Sequence, residues 1–441
     1  MAEINTSELG NRSLFTSRLW VHKFNERMAQ VKAQGRVKNT TSPPFSDNSV
    51  SRVMQDSFVQ VFLPFASDEH LRDEYSSHFG RIRVGKVLED LDALAGYISF
   101  MHCAEALKPL AVVTASVDRM DLISEIPANL DVSLSGHVTY VGKSSMEVII
   151  KLMPIHTDAG LTLHDMESIA YLRTPLPANK LTGDVFLIAK FIMVSLDATT
   201  GRPAPAPPLT LTNSQETALF EAGARHKARK QLAAQASPSL RVPDLSEMQL
   251  VHSIFLEYMK YLDANGNPDP AKAKPKNVVW MKDTTFQNLV LTFPQDRNVH
   301  NKIFGGHLMR LGFELGYATG VMFCKRPLQF LALDDITFKK PVDVGSVLDL
   351  TSQVVYSFED KIVVKVAAHI VQADEGSHYL SNEFWFTFKT VAGKNDDGQH
   401  PQEWMRILPR SYDECMLYLA GKRRLEIGLG EQGDSIDKPH D

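Results

Sequence analysis

The chain has 441 residues, of which 44% are hydrophobic and 22% charged; these are globular values, so a wholly disordered or fibrous protein is excluded and two or three domains are expected. Lys and Arg total 47 against 52 Asp and Glu, a formal net charge of -5. Nucleic acid is therefore not an expected partner, because affinity for it rests on clustered positive charge. Cys103, Cys324 and Cys415 lie far apart with no C-x-x-C, so neither a disulfide framework nor a cysteine zinc site is expected and a reducing compartment fits.

The chain opens with a basic arm. Leu9 to Ser46 holds one acid, Glu26, against Arg12, Arg18, Lys23, Arg27, Lys32, Arg36 and Lys38. That bias is the one mitochondrial presequences show, while Trp20, Phe24, Met28 and Val31 equally form the apolar stripe of an amphipathic surface helix. A strand ending at Pro64 precedes a helix whose apolar residues Val87, Leu91, Leu94, Ile98 and Met101 step by four and three. Glu89 and Asp90, taken as first-turn acids, are expected in solvent. Asp92 lies at the edge of the apolar stripe, on a face that continues through Ala95, Gly96 and Ser99. Alternating strands follow. The most apolar stretch, Val185 to Leu196, is 12 residues long and carries Lys190, short of the roughly 20 residues of a membrane span. A soluble protein is expected.

Gly201 to Pro208 (GRPAPAPP) reads as a linker. Beyond it, Asn213 with Glu216 starts a helix to about Ala236. Met248, Val251, Phe255, Tyr258 and Leu262 give a second, stopped by Asn265-Gly266-Asn267-Pro268. A strand ending at Pro294 then leads into a helix with stripe Phe304, Leu308, Leu311, Leu315, Ala318 and Met322.

The two long helices and the strands after them form a repeat. Val132, Leu134, Val138, Tyr140, Met146, Val148 and Ile150 fall, at an offset of 216, on Leu348, Leu350, Val354, Tyr356, Ile362, Val364 and Val366, and Asp118 falls on Asp334. Each half is one strand, one apolar helix and several antiparallel strands. The economical packing is a curved sheet wrapped around the helix. The fold class is thus α+β, a tandem (double) hot-dog with a helical inter-domain insert. Its boundaries are a basic arm (1–50), a first hot-dog domain (51–200), a proline-rich and helical linker (201–278), a second hot-dog domain (279–395) and a C-terminal helix and tail (396–441).

His300-Asn301-Lys302-Ile303-Phe304-Gly305-Gly306-His307 is the strongest local signal. Two glycines at a helix start allow a ligand carbonyl to approach unpaired main-chain N–H groups, and the Asn301 amide adds a directional donor; alternatively, Gly-Gly serves only tight helix packing. Asp92 is suited to holding and deprotonating a water. Laying Val84-Gly85 on Gly305-Gly306 puts Asp92 on Phe313 and Asn301 on Gly80. Each half then carries one polar group that the other lacks, which predicts one active site per chain.

The segments RVGKVLEDLDALAGYISFMHC, VTASVDRMDLI, GHVTYVGKSSMEV, DRNVHNKIFGGHLMRLGFELGYA, DDITFKKPVDVGS and LPRSYDECMLYLAGKRR together resemble the acyl-CoA thioesterase 9 type of double hot-dog protein, from about Ser13 to Arg424. The resemblance implies hydrolysis of acyl-CoA to free acid and coenzyme A, without metal or redox cofactor, coenzyme A being part of substrate and product. It implies a mitochondrial matrix location, a homo-oligomer such as a trimer of chains, and Asn301 with Asp92 as the catalytic pair. It also implies coenzyme A contacts through the backbone of Ala115, Ser116 and Val117 and of Ser144, Ser145 and Met146. Cytoplasm is the alternative location, since about a dozen residues precede the matched region. Lys143, Lys339 and Lys340 are read as solvated, or as contacts to the nucleotide phosphates.

Other chemistries are set aside. GRIRVGK (Gly80 to Lys86) has the P-loop spacing, but Val87 replaces the magnesium-binding Ser or Thr. No G-x-S-x-G occurs, and His102-Cys103 is adjacent on an apolar helix, so no Ser or Cys nucleophile is supported. His300 and His307 lack a third ligand for a metal. A hot-dog hydratase or dehydratase, and a non-catalytic acyl-CoA sensor, are the alternatives.

Overall fold

A computed structural model describes residues 50–77, 80–104, 106, 109–155, 184–233, 242–263, 269, 271–297, 302–372, 376–391 and 404–434. The basic arm with its Trp20–Val31 stripe, the Asn265–Pro268 stop, His300 and Asn301 lie outside the described residues. The chain forms two compact units, one of Met1–Lys227, Thr292–Arg310 and Asp335–Gly345, the other of Ala228–Leu291, Leu311–Asp334 and Ser346–Asp441.

In the first unit, β1 (Val59–Leu63) is followed by the short helix α1 (Glu69–Tyr75) and the long helix α2 (Val84–Cys103). Then come β2 (Leu110–Val117), β3 (Met120–Leu122), β4 (Val132–Val141), β5 (Ser145–Pro154) and β6 (Leu187–Asp197). The sheet runs β1-β4-β5-β6, all antiparallel, and β6 takes both β2 and β3 on its other edge. β10 (Ile336–Thr337) adds to β2. The alternating residues of β4 and β5 meet α2: Val132, Leu134, Val138, Met146, Val148 and Ile150 are all buried. The Gly201–Pro208 segment packs here too, where Ala206 N–H donates to the Lys143 carbonyl and Ala204 N–H to that of Ser195. Helix α3 (Ser214–Ala233) starts where expected, its Glu216 N–H capped by Asn213 Oδ1 at 2.8 Å.

In the second unit, β8 (Phe286–Leu291), β11 (Val347–Phe358), β12 (Lys361–Gln372), β13 (Ser377–Thr390) and β9 (Leu328–Leu333) form an antiparallel sheet in that order. Helix α5 (Gly305–Cys324), from Leu311 onward, lies on it. Helices α4 (Leu245–Met259) and α6 (Tyr412–Asp434) pack with the parallel pair β7 (Val278–Trp280) and β14 (Arg406–Leu408) through Ile254, Val278, Leu408 and Cys415.

The repeat is as literal in hydrogen bonding as in sequence. α2 and α5 each span 20 residues. The β4–β5 ladder shifts register between Val138 and Tyr140, and the β11–β12 ladder between Val354 and Tyr356, at the offset of 216. β2 skips Ala115 against β6, and β9 skips Leu331 against β13. A hydroxyl anchors each bulged strand: Val138 N–H donates to Ser57 Oγ at 3.0 Å and Val354 N–H to Thr284 Oγ1 at 3.1 Å. Each half is therefore a sheet wrapped on one helix, the hot-dog architecture.

Three expectations are corrected. α2 begins at Val84, so Glu89 and Asp90 are not in its first turn, and both are buried rather than solvated. α2 is enclosed on all sides, every residue from Gly85 to Cys103 being buried, and Asp90 and Glu89 have partners there in Tyr75 and Arg310. α5 is turned from the expected stripe: Met322 is 62% exposed, while Gly312, Gly316 and Gly320 face Phe384, Phe386 and Leu328. Glycines let those side chains lie against the helix backbone, and a count of apolar residues does not register them. α4 is turned likewise, with Met248 and Phe255 outward and Glu247 and Ile254 inward. Arg423 of α6 explains this, since its Nε and Nη2 donate to the two Glu247 oxygens at 2.7 Å each. Among the described residues no helix is long and apolar enough to cross a membrane.

A buried pair broken on one side leaves an uncompensated charge. Arg423→Met is therefore expected to lower unfolding free energy in urea by about 3 kcal/mol, and the double variant with Glu247→Leu to regain most of it.

Candidate active site

The site in the first unit is built on one buried carboxylate. Asp92, in the third turn of α2, is 1% exposed. Two donors hold it, one per oxygen: Thr114 Oγ1 of β2 donates to Oδ1 at 2.7 Å, and Gly306 N–H, at the start of α5, donates to Oδ2 at 2.6 Å. Thr114 sits beside the bulge at Ala115. Gly306 reaches Asp92 because it has no side chain: a Cβ there would stand 2.9 Å from both Cα and carbonyl oxygen of Glu89. A Cβ at Gly305 would stand 3.1 Å from Asp92 Oδ2 and 3.2 Å from the Phe338 ring.

Burial disfavours the charged form and raises the Asp92 pKa from 3.8 to about 6, against the lowering effect of Thr114 and Gly306, with the neighbouring Glu89 charge adding to the rise. The partial positive charge at a helix N-terminus steadies the anion that forms. Asp92 is thus a carboxylate poised to take a proton near neutrality. Glu89, one turn earlier, is buried beside Arg310 (Nε to Oε2, 3.3 Å) and His307 (Nδ1 to Oε1, 3.7 Å). Asp90 accepts from the Tyr75 hydroxyl. Lys86 of the P-loop-like stretch is spent on Glu74, so it is no phosphate ligand. Burial pushes His102 down to about 4, so it is neutral, its Nε2 against the Pro207 carbonyl at 2.8 Å. Among the described residues no group of His, Cys, Asp and Glu is arranged to hold a metal.

The chain is 35% identical over 380 residues to acyl-coenzyme A thioesterase 9, mitochondrial, of Mus musculus, which covers 85% of this chain and 78% of that one. It belongs to the acyl-coenzyme A thioesterase 9/10 family. Acyl-coenzyme A thioesterase 10, mitochondrial, of Mus musculus is 34% identical over 380 residues, with the same coverages of 85% and 78%. Among solved structures, an acyl-CoA hydrolase from Staphylococcus aureus in complex with butyryl coenzyme A is 23% identical, covering 36% of this chain and 93% of its own, at a TM-score of 0.32. No protein-family model matches.

Of the residues expected to serve this thioesterase-family site, Asp92, Gly305 and Gly306 come together. One role changes: the Gly306 N–H, expected to receive a ligand carbonyl, is given to Asp92. Gly305 and Gly306 are placed at the site, while Asn301 lies outside the described residues. Thr114 of β2 and Met146 of β5 both pair with Met193 of β6, on opposite edges. The segments Ala115–Val117 and Ser144–Met146 therefore flank one strand, about 10 Å apart by two strand spacings. Their backbones are already engaged. Ser116 and Val117 lie between β6 and β10, the Ala115 carbonyl accepts Phe338 N–H, and the Ser144 carbonyl accepts Ser195 N–H. Lys143, Lys339 and Lys340 are exposed.

Sequence reasoning missed Thr114, Glu89, Arg310 and Phe338. A signal for Thr114 existed. At the offset of 216 it falls on Phe330, and in the second unit Phe330 packs edge-on to Phe313, the counterpart of Asp92, at 5.4 Å. Phe386 and Phe388 close on the same ring at 5.6 and 5.8 Å. Both polar positions have become one aromatic cluster.

The raised pKa of Asp92 is also a stability statement. A carboxyl whose folded pKa (about 6) exceeds its unfolded value (3.8) destabilises the fold increasingly as pH rises from about 4 to 6 and fully above that. Asp92→Asn is expected to stabilise the protein at pH 8 by at most about 3 kcal/mol, with the gain vanishing near pH 4. Thermal unfolding at both pH values measures it.

Proposed function

We propose that this chain, as a thioesterase 9/10 family member, hydrolyses fatty acyl-CoA to free fatty acid and coenzyme A with Asp92 as the base. The observation that carries the site assignment is the enclosed Asp92 carboxylate between Thr114 and the Gly306 N–H. Each carboxylate oxygen retains a free lone-pair direction for a water. Asp92 takes a proton from that water as its oxygen attacks the thioester carbonyl carbon. The oxyanion is received by the Asn301 amide and the Gly305 N–H. As the intermediate collapses, the C–S bond breaks and the proton on Asp92 passes to the coenzyme A thiolate. The chemistry needs no metal or redox cofactor.

With the strand edges occupied, Ala115, Ser144 and Ser145, all half-buried, are the proposed contacts of the pantetheine arm through side chains, with Ser116, Val117 and Met146 shaping the strands behind them. The mitochondrial matrix is the proposed location, as for the relatives named mitochondrial. A homo-oligomer, a trimer of chains, is the proposed assembly. It agrees with β8, where Leu289 is 64% and Leu291 48% exposed, whereas every residue of its counterpart β1 is buried.

A thiol-release assay over acetyl to palmitoyl coenzyme A tests this reading. Asp92→Asn should lower turnover by roughly 10² to 10⁴ and Asn301→Ala by about 10² to 10³; wild-type rates in both folded variants would remove the assignment. Because the base must be ionised, kcat/KM should fall about tenfold per pH unit below about 6.

A further inference from the structure

Glu89 stands three residues before Asp92 on α2 and so shares its helix face. It meets α5 twice. Its Cα and carbonyl oxygen crowd the position a Gly306 side chain would need, at 2.9 Å, and its carboxylate faces Arg310 Nε at 3.3 Å and His307 Nδ1 at 3.7 Å. Arg310 Nη2 lies 3.3 Å from His307 Nδ1, closing a three-membered cluster. The start of α5 is therefore fastened to α2 at two levels, by Gly306 on Asp92 and by Arg310 on Glu89.

We propose that Glu89, balanced by Arg310, is the positioning residue of the hydrolytic base: it fastens α5 so that Gly306 N–H stays on Asp92, and it places a second negative charge beside that carboxylate. The inference rests on the reading of Asp92 as base. The other charges around this part of α2 are committed elsewhere, Lys86 to Glu74 and Asp90 to Tyr75 on the α1 side. β2 contributes the uncharged Thr114 and the segment after β10 the uncharged Phe338. Burial does most to raise the proton affinity of Asp92, and the Glu89 charge adds to that rise. Arg310 offsets it. Removing Glu89's charge and removing its counter-charge should therefore displace Asp92's titration in opposite directions, which loss of packing alone would not do.

The experiment is the pH profile of kcat/KM from about pH 4.5 to 9 for wild type, Glu89→Gln, Arg310→Met, His307→Gln and Asp92→Asn. In Glu89→Gln the acidic limb should move down by about one pH unit, and in Arg310→Met up by a similar amount. The ratio of Glu89→Gln to wild-type kcat/KM should rise as pH falls. A limb that stays in place in both variants while only the plateau drops would make Glu89 a packing residue and overturn the proposal. So would a limb that vanishes in His307→Gln, because it would then belong to His307. Undiminished turnover in Asp92→Asn would instead refute the base itself, whatever the other variants do.

Discussion

The hydrogen bond from Gly306 N–H to Asp92 constrains the rest of the first unit. A carboxylate taken out of water must be compensated or it will not ionise at neutral pH. Here the compensation comes from a main-chain donor at a helix start and from one hydroxyl. At this position the N–H can approach only because its residue has no side chain, since Glu89's backbone already fills the place where one would stand. The Gly-Gly pair is thus required by the carboxylate opposite, which joins two readings that the sequence left separate, ligand approach and close packing.

Duplication explains why one such arrangement exists per repeat pair. Both halves retain the sheet, the bulges and the hydroxyl that ties the bulged strand. What has been lost in the second half is the polar pair. With Phe313 and Phe330 at those positions, the space is filled by rings packed edge to face, each pair contributing roughly 0.5–1.5 kcal/mol beyond its burial. A site that no longer needs an ionised group is better filled with apolar rings than with an enclosed charge.

Much of this was legible in the sequence. The offset of 216 located the strands, and a separate alignment of the helices, Val84-Gly85 on Gly305-Gly306, placed Asp92 opposite Phe313. The faces of the helices were not. Val87 to Met101 has helical spacing, but spacing cannot say that Tyr75 and Arg310 would enclose Asp90 and Glu89. In α5 the buried side is defined by glycines, whose contribution is the absence of volume, and in α4 by an acid paired with an arginine 176 residues away. Thr114 was hidden for another reason. A threonine in a β-strand is ordinary, and its role comes from the bulge that turns its hydroxyl toward α2.

The placement of the proposed base on α2 follows from what rigidity requires. A catalytic carboxylate must be held to within a fraction of an ångström, which elements of regular structure do better than loops. Asp92 is short, so its carboxylate stays close to the helix axis, and both of its donors also come from regular elements, one from β2 and one from the first turn of α5. None of the three can move without breaking ladder or helix hydrogen bonds. The same enclosure that fixes the geometry removes competing water, and it is this dehydration, more than any neighbouring charge, that lifts the carboxyl toward neutrality. Precision of placement and strength of the base are two outcomes of one act of burial.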